Sequence, residues 1–243
     1  MALNHPPPGP PLAGLDAIQV VIPVRDEERS LAHVIGQLRD QGLSRIRVVD
    51  NGSRDRSAAI ARELGAEVLS EPRPGYGRAC WRGCLNLDPT VRWLLFCDGD
   101  GSDPIEQLPR LLNLMQNHDL LLGDRTATAS GRAALTPLQR FGNRLATRLI
   151  ALGWGCRYRD LGPLRLVRRQ AFEAMALRDR GFGWTLEMQV RAVELGLRIA
   201  EVPVGHRPRL AGVSKISGRW GASIRAGSVI LTTLGRLLLR RWS

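Results

Sequence analysis

Apolar and polar positions along the first half of the chain switch repeatedly between two periods. Ile18–Val24 (IQVVIPV) is a short, mostly apolar run rich in β-branched residues, which reads as a buried strand. The next stretch takes the helical period: Leu31, Val34, Ile35 and Leu38 share one face, with Asp26 placed to cap its start and Gly42 to stop it. Ile46–Asp50 is a second strand and NGS a turn. Arg54–Leu64 reads as a helix ended by Gly65, and Ala66–Ser70 as a third strand. The Pro/Gly loop PRPGYGRA opens another helix. Arg92–Asp98 is a strand, Pro104–Gln116 a helix with its proline in the favoured first turn, and Asp119–Asp124 a further strand.

The second half is less regular. Leu135–Leu152 predicts a helix with Arg140, Arg144 and Arg148 at four-residue spacing; Pro163–Arg169 and Leu197–Val204 predict strands and Thr185–Leu195 a helix. Alternating strands and helices, joined by crossovers of about ten or more residues, predict an α/β protein with a mostly parallel sheet. The strands are near-continuous apolar runs, as expected when helices cover both faces. Ligands of such sheets bind beyond the carboxyl ends of the strands. Asp26, Asp50 and Asp98 each stand at or just past such an end, so they are expected along one edge.

Composition narrows the classes. The 243 residues, 44% hydrophobic and 24% charged, suffice for one large domain that needs no disulfide or structural metal. Cys80, Cys84, Cys97 and Cys156 form no CxxC pair, which argues against a zinc ribbon and for reduced thiols in the cytoplasm. Residues 1–17 form a Pro-rich leader without a signal peptide's charged and apolar regions, expected to be disordered. No apolar run of about 18 residues predicts a membrane span. The net charge of +12 suits phosphate-bearing or anionic partners. No nucleic acid is expected among them, because RNP-like, zinc-finger and homeodomain patterns are missing.

Against that charge, FCDGDGSDP places Asp98, Asp100 and Asp103 within six positions. An Asp-x-Asp turn lets two carboxylates reach one hard cation such as Mg²⁺ or Mn²⁺, which completes its shell with water and phosphate. An EF-hand does not fit, since Asp103 and Pro109 fall where that loop needs glycine and glutamate. A polar turn with Ser102 or Asp103 capping the next helix is the structural alternative. A dinucleotide-binding G-x-G-x-x-G is missing after the first strand, where PVRDEE stands.

The ordered series VIPVRDEE, VVDNGSRDRS, EPRPGYGRA and FCDGDG resembles the glycosyltransferase family 2 signature, and in particular its polyprenol-phosphate sugar transferase branch. The likeness continues through GDR at Gly123–Arg125, DLGPLRLVRR at Asp160–Arg169, GFGWTLEMQVRA and HRPRLAGVSK, covering about Gln19 to Lys215. It implies a GT-A (nucleotide-diphospho-sugar transferase) domain over 18–217. The reaction implied is metal-dependent, inverting transfer of a sugar from a UDP- or GDP-linked donor to a polyprenyl-phosphate-type acceptor, with a soluble hydroxyl acceptor as the alternative.

Residue by residue, the resemblance implies that Pro23, Arg25 and Glu27 wall the nucleotide base and that Asp50 hydrogen-bonds base or ribose. Gly75 and Gly77 would let backbone approach the nucleotide, with Arg78 near its phosphates. Asp98 would stand nearer the ribose and Asp100 on the metal, while Arg125, Arg209 and Lys215 would surround the donor and acceptor phosphates. Such a cationic ring makes chemical sense, because sugar transfer leaves a nucleoside diphosphate whose charge must be neutralised. The chain departs from the family pattern at Arg25 for tyrosine, Asn51 for the second aspartate, Ser102 for a glutamine of some lipid-phosphate relatives, and Gly162-Pro163 for Ser-Gly.

Three features stay open between readings. Glu187 is either a general base or a helix carboxylate paired with Arg191. His206 is either a further metal or diphosphate ligand or a loop residue. Residues 218–243, apolar with Arg225, Arg236, Arg240, Arg241 and Trp242, read as an amphipathic helix. That helix either touches a membrane surface, making the protein peripheral at the inner face of the cytoplasmic membrane, or packs on its own domain. The stripe Arg140, Arg144 and Arg148 reads as a solvated face, with binding of lipid headgroups as the alternative.

Overall fold

The computed structural model describes residues 14–210 and 220–241. The sequence-derived candidate Lys215, with Gly212 and Ser214 of the same motif, and Trp242 at the tail lie outside the described residues. Seven strands form one sheet: β1 (Ile18–Val24), β2 (Ile46–Asp50), β3 (Glu67–Ser70), β4 (Trp93–Phe96), β5 (Leu120–Asp124), β6 (Arg165–Arg168) and β7 (Ile199–Pro203). Their order is β3-β2-β1-β4-β6-β5-β7, with β6 antiparallel to both neighbours and every other pairing parallel. This is the GT-A arrangement of a mostly parallel sheet between helices.

Strand alternation divides the core. Ile18, Val20, Ile22 and Val24 of β1, with Trp93 and Leu95 of β4, pack under α1 (Leu31–Asp40), α2 (Ser57–Glu63) and α4 (Leu108–Leu112). Val21, Leu94 and Phe96 face the other layer: α3 (Tyr76–Gly83), α6 (Pro137–Trp154), α7 (Arg169–Met175), α8 (Trp184–Glu194) and α9 (Trp220–Arg241). A short α5 (Ala129–Ala134) precedes α6. Burial on both faces explains why these strands carry apolar residues at nearly every position.

Several expected boundaries move. Asp26 does not cap α1: it sits at φ +52°, and the helix begins at Leu31 with Ser30 before it. The helix expected over Arg54–Leu64 begins at Ser57. The helix expected over Pro104–Gln116 becomes a 3₁₀ turn at Ile105–Gln107 followed by the short α4. Asp103 does not cap it, because its carboxylate accepts the Asp98 N–H at 2.8 Å instead. Leu15–Ala17, assigned to the leader by sequence, forms a 3₁₀ turn whose Leu15 packs on the core.

The chain passes from β1 outward to β2 and β3, then returns to place β4 on the other side of β1. The carboxyl ends of β1 and β4 therefore diverge into loops on opposite sides, which opens a crevice between them. Arg25, Asp26 and Glu27 leave one strand there, and Asp98 and Asp100 leave the other.

Candidate active site

The crevice floor is the turn after β4. Asp103 holds the Asp98 N–H, and an oxygen of Asp100 accepts from Ser102 N at 2.8 Å. These bonds close the turn from within and gather three carboxylates. Burial, then the charges of Asp100 and Asp103, push the Asp98 carboxyl well above its usual range. Burial raises that of Asp103 to about 7 despite its bond from the Asp98 N–H. Such crowding favours a proton or a cation at this place.

The segment leaving β7 crosses over this turn. Gly205 N bonds Gln107 Oε1, Arg207 N bonds Ser102 O and Leu210 N bonds Asp100 O, at 3.0–3.1 Å. Gly101 lies at φ +75°, and a β-carbon there would stand 2.4 Å from Leu210 Cδ1, so this crossing requires glycine. The crossing delivers Arg209 to the carboxylates. Its Nε donates to Asp100 Oδ2 at 2.7 Å and its Nη2 to Glu27 Oε1 at 2.9 Å, joining the β1 and β4 loops. The same segment brings in His206. Its Nδ1 is buried and has no partner among the described residues, and burial, then the charge of Arg125, lower its pKa to about 4. The ring is therefore neutral at pH 7, the form that binds metal.

Arg125 stands behind the carboxylates at the end of β5. Asp160 grips it through Nε at 2.8 Å, Nη2 at 2.9 Å and the backbone N–H at 2.9 Å. Burial pushes the Asp160 carboxyl up, but the charge and hydrogen bonds of Arg125 outweigh it and leave the group below its ordinary value. The grip fixes the direction in which Arg125 presents its charge. Beneath lies Arg165, 1% exposed, bonded to Gly162 O, Thr185 O and Gln189 Oε1; burial lowers its pKa to about 10, so it stays charged.

The other wall of the crevice is built from the ends of β1, β2 and β3. Asp26 N bonds Ser53 Oγ, Glu27 N bonds Ser57 Oγ and Glu28 N bonds Asp55; in return Arg54 N bonds Asp26 and Arg56 N bonds Glu28. This reciprocal set locks the two loops and holds Asp26 in its left-handed conformation. Asp50 accepts from Ser53 N, half-buried at the same edge as Pro23, with Arg25 exposed beside them. Asn51 donates through Nδ2 to Glu71 O and Arg73 O and accepts Gly75 N through Oδ1. One amide thus fixes the Pro/Gly loop.

Gly75 and Gly77 have a structural role that the sequence pattern did not show. Gly77 N bonds Gly181 O and Arg78 N bonds Arg180 O, each at 3.0 Å. A β-carbon on Gly75 would stand 2.4 Å from Arg180 O, and one on Gly77 2.8 Å from Asp179 O. The glycines therefore admit the chain's own 179–181 strap. Among the described residues no hydrogen bond or ion pair engages the half-buried Arg78 guanidinium. Glu187 anchors the strap. Its buried Oε2 accepts Arg178 N at 2.9 Å and Asp179 N at 2.6 Å, and Oε1 faces Arg240 at 3.7 Å. Of the two sequence readings, the pairing of Glu187 with Arg191 is not formed, because Arg191 bonds Glu194 and Met175 O.

The structure thus brings Pro23, Arg25, Glu27, Asp50, Asp98, Asp100, Arg125, His206 and Arg209 to one strand-end edge, with Gly75, Gly77 and Arg78 on the loop after β3. Glu187 lies behind the strap. Asp160, Arg165 and Asn51 complete the support; Asn51 was legible only as a missing charge. A cavity of about 530 Å³ opens elsewhere, lined by Trp154, Arg178, Arg191, Glu194, Leu237 and Arg240, and no strand-end residue borders it.

Among the described residues, no three His, Cys, Asp or Glu side chains form a ready metal cage. The chemistry of the set still fits a divalent ion: two turn carboxylates stand on the loop that the His206 segment crosses, and the neutral imidazole keeps a buried nitrogen that has no partner among the described residues. Mg²⁺ characteristically takes few protein ligands and leaves positions for water and phosphate.

Residues 19–175 match the model of glycosyl transferase family 2. An uncharacterized glycosyltransferase of Mycobacterium tuberculosis is 36% identical over 87% of this chain and 94% of its own length. The undecaprenyl-phosphate mannosyltransferase of Micrococcus luteus is 31% identical over 86% and 95%. Among solved structures, glucosyl-3-phosphoglycerate synthase of M. tuberculosis, in complex with Mn²⁺, UDP and glucosyl-3-phosphoglycerate, superposes with a TM-score of 0.70. It covers 96% of this chain and 87% of its own, at 23% identity.

Proposed function

The chain belongs to glycosyl transferase family 2 and is a glycosyltransferase, and from that premise we propose that it moves a sugar from a nucleotide-diphosphate donor to a polyprenyl-phosphate-type acceptor, with inversion, using a divalent metal. The observation that carries the reading is the strand-end constellation: Asp98 and Asp100 with the buried His206 Nδ1, framed by Arg125 and Arg209.

Asp98, Asp100 and His206 would hold the metal, which supplies Lewis-acid neutralisation of the departing diphosphate. Pro23, Arg25 and Asp50 border the place for base and ribose, and the Asn51-held loop presents Arg78 toward the phosphates. Arg125, held rigid by Asp160, needs no reorganisation to stabilise developing negative charge. Arg209 neutralises Asp100 and Glu27 here. A diphosphate and its cation would compete for both partners, so donor binding is expected to release Arg209 toward phosphate. Lys215 belongs to the same group by its place in the motif.

Glu187 bears on the acceptor. A hydroxyl needs a base to take its proton, whereas a phosphate is already ionised. Both Glu187 oxygens face the strap and Arg240, which supports a positioning role and a phosphate acceptor. The undecaprenyl-phosphate transferase at 31% identity points the same way.

Thermal unfolding with UDP or GDP, with and without Mn²⁺, tests the site. A ligand selective for the folded state at about 100 times its Kd adds about 2.7 kcal/mol, a shift on the order of 5 °C for this size. One nucleotide is expected to give that shift only with metal, and Asp100→Asn to abolish the metal-dependent part. No shift with any nucleotide would overturn the reading.

A further inference from the structure

Four large apolar side chains exposed to solvent lie on two helices that touch. Phe141 (66% exposed) and Leu152 (84%) belong to α6, and Leu231 (57%) and Leu239 (74%) to α9. The helices run side by side, with Gly142 against Ile230 and Gly153 against Leu238, so each exposed side chain stands one position from a contact, two at each end. The inner faces are already satisfied: Ala146, Thr147 and Ile150 of α6 and Thr233, Leu234 and Leu237 of α9 are buried. On α6 the outward stripe is Phe141, Leu145, Arg148 and Leu152, a helical spacing of i, i+4, i+7 and i+11.

Charge is segregated on the same elements. The sequence has no Asp or Glu from Arg125 to Arg159 and none after Glu201. Arg140, Arg144, Arg148 and Arg236 are exposed beside the apolar residues, while Arg240 faces Glu187. Among the described residues, no helix is long and apolar enough to cross a membrane.

We propose that the paired outer faces of α6 and α9 form a docking surface for an anionic phospholipid bilayer, with Phe141, Leu152, Leu231 and Leu239 entering the headgroup–acyl boundary and the arginines lying at phosphate level. Arginine stems reach along apolar surface while their heads stay at the polar level, which accommodates Arg148 between Leu145 and Leu152. A second copy of the same face is the poorer occupant, because it would bring two arginine arrays together without a carboxylate between them. The basic stripe of α6, which the sequence left between a solvated face and a lipid-headgroup site, is then one half of a composite surface whose other half is the C-terminal helix.

Vesicle flotation of the full chain tests this without donor or acceptor, so its failure and that of the proposed reaction are separable. Binding to phosphatidylcholine vesicles containing phosphatidylglycerol is expected, with little to phosphatidylcholine alone and a decline as salt rises. Leu152→Ser with Leu239→Ser should weaken binding by at least about tenfold, the loss of buried leucine surface. Arg144→Glu with Arg148→Glu should do likewise, and both variants should keep the wild-type melting temperature. Equal binding to neutral vesicles, or variants that bind as wild type, would overturn the proposal. So would a concentration-dependent oligomer that the leucine variant dissolves, which would make the face a protein interface.

Discussion

Asn51 must donate to two carbonyl oxygens and accept one N–H, and only an amide does all three. Asn51→Asp would turn a carboxylate toward Glu71 O and Arg73 O. The expected cost is about 1–3 kcal/mol, the penalty for leaving buried polar groups unpaired, with weaker nucleotide-dependent stabilisation as the loop loosens. Urea unfolding and the melting shift with nucleotide check the two effects. Asp160→Ala would strand the buried Arg125 and should cost about 3 kcal/mol or more while reducing turnover further than KM. The aspartates after β4 stood out in the sequence through their place in the ordered motif series, since their spacing alone also fits a polar turn. Asp160 and Arg165 did not, because their meaning lies in partners brought together only by the antiparallel β6.

Helix starts were the least legible elements. The spacing of Leu31, Val34, Ile35 and Leu38 gave the buried face of α1 correctly, yet the N–H groups of residues 26–28 bond Ser53, Ser57 and Asp55, which delays that helix to Leu31. The bonds of Arg54 and Arg56 to Asp26 and Glu28 delay α2 in the same way. Those partners are distant in sequence, so no local pattern reveals them. Pro109 interrupts the helix expected over Pro104–Gln116, since proline lacks the N–H that a continuous helix would use. At the far end of the sheet, Asp119 accepts from Arg168 on β6 and Arg198 before β7. The bonds from Arg198 lower its pKa from 3.8 to about 2. A carboxyl depressed on folding stabilises above its unfolded pKa and loses that contribution as pH falls through the folded one. The melting-temperature gap between wild type and Asp119→Asn should therefore be full above about pH 5 and close toward pH 2. A constant gap would rule out this linkage. Gly77→Ala, which drives a β-carbon into Asp179 O, should lower both stability and nucleotide binding.

At the scale of the molecule, a sheet that runs out to β3 and returns to β4 places two acidic loops across one crevice. The alternating pattern foretold the mostly parallel sheet and the edge at which the candidate residues gather, and β1 and β2 fell on the residues expected. Both faces of those strands are buried, so their local pattern suffices. The reversal of β6 and the pairing of α6 with α9 depend on contacts across the whole chain. The strand-end edge carries the candidate site, while the outer faces of α6 and α9 carry the basic, partly apolar surface. The most direct test of the central claim is sugar transfer to lipid. Labelled UDP- and GDP-sugars would be incubated with the full chain, Mn²⁺ and undecaprenyl phosphate in detergent, followed by organic extraction. The account expects label from one donor in the organic phase, dependent on lipid and metal and lost in Asp100→Asn. No lipid-linked label from any donor, from a protein that still binds nucleotide, would contradict it.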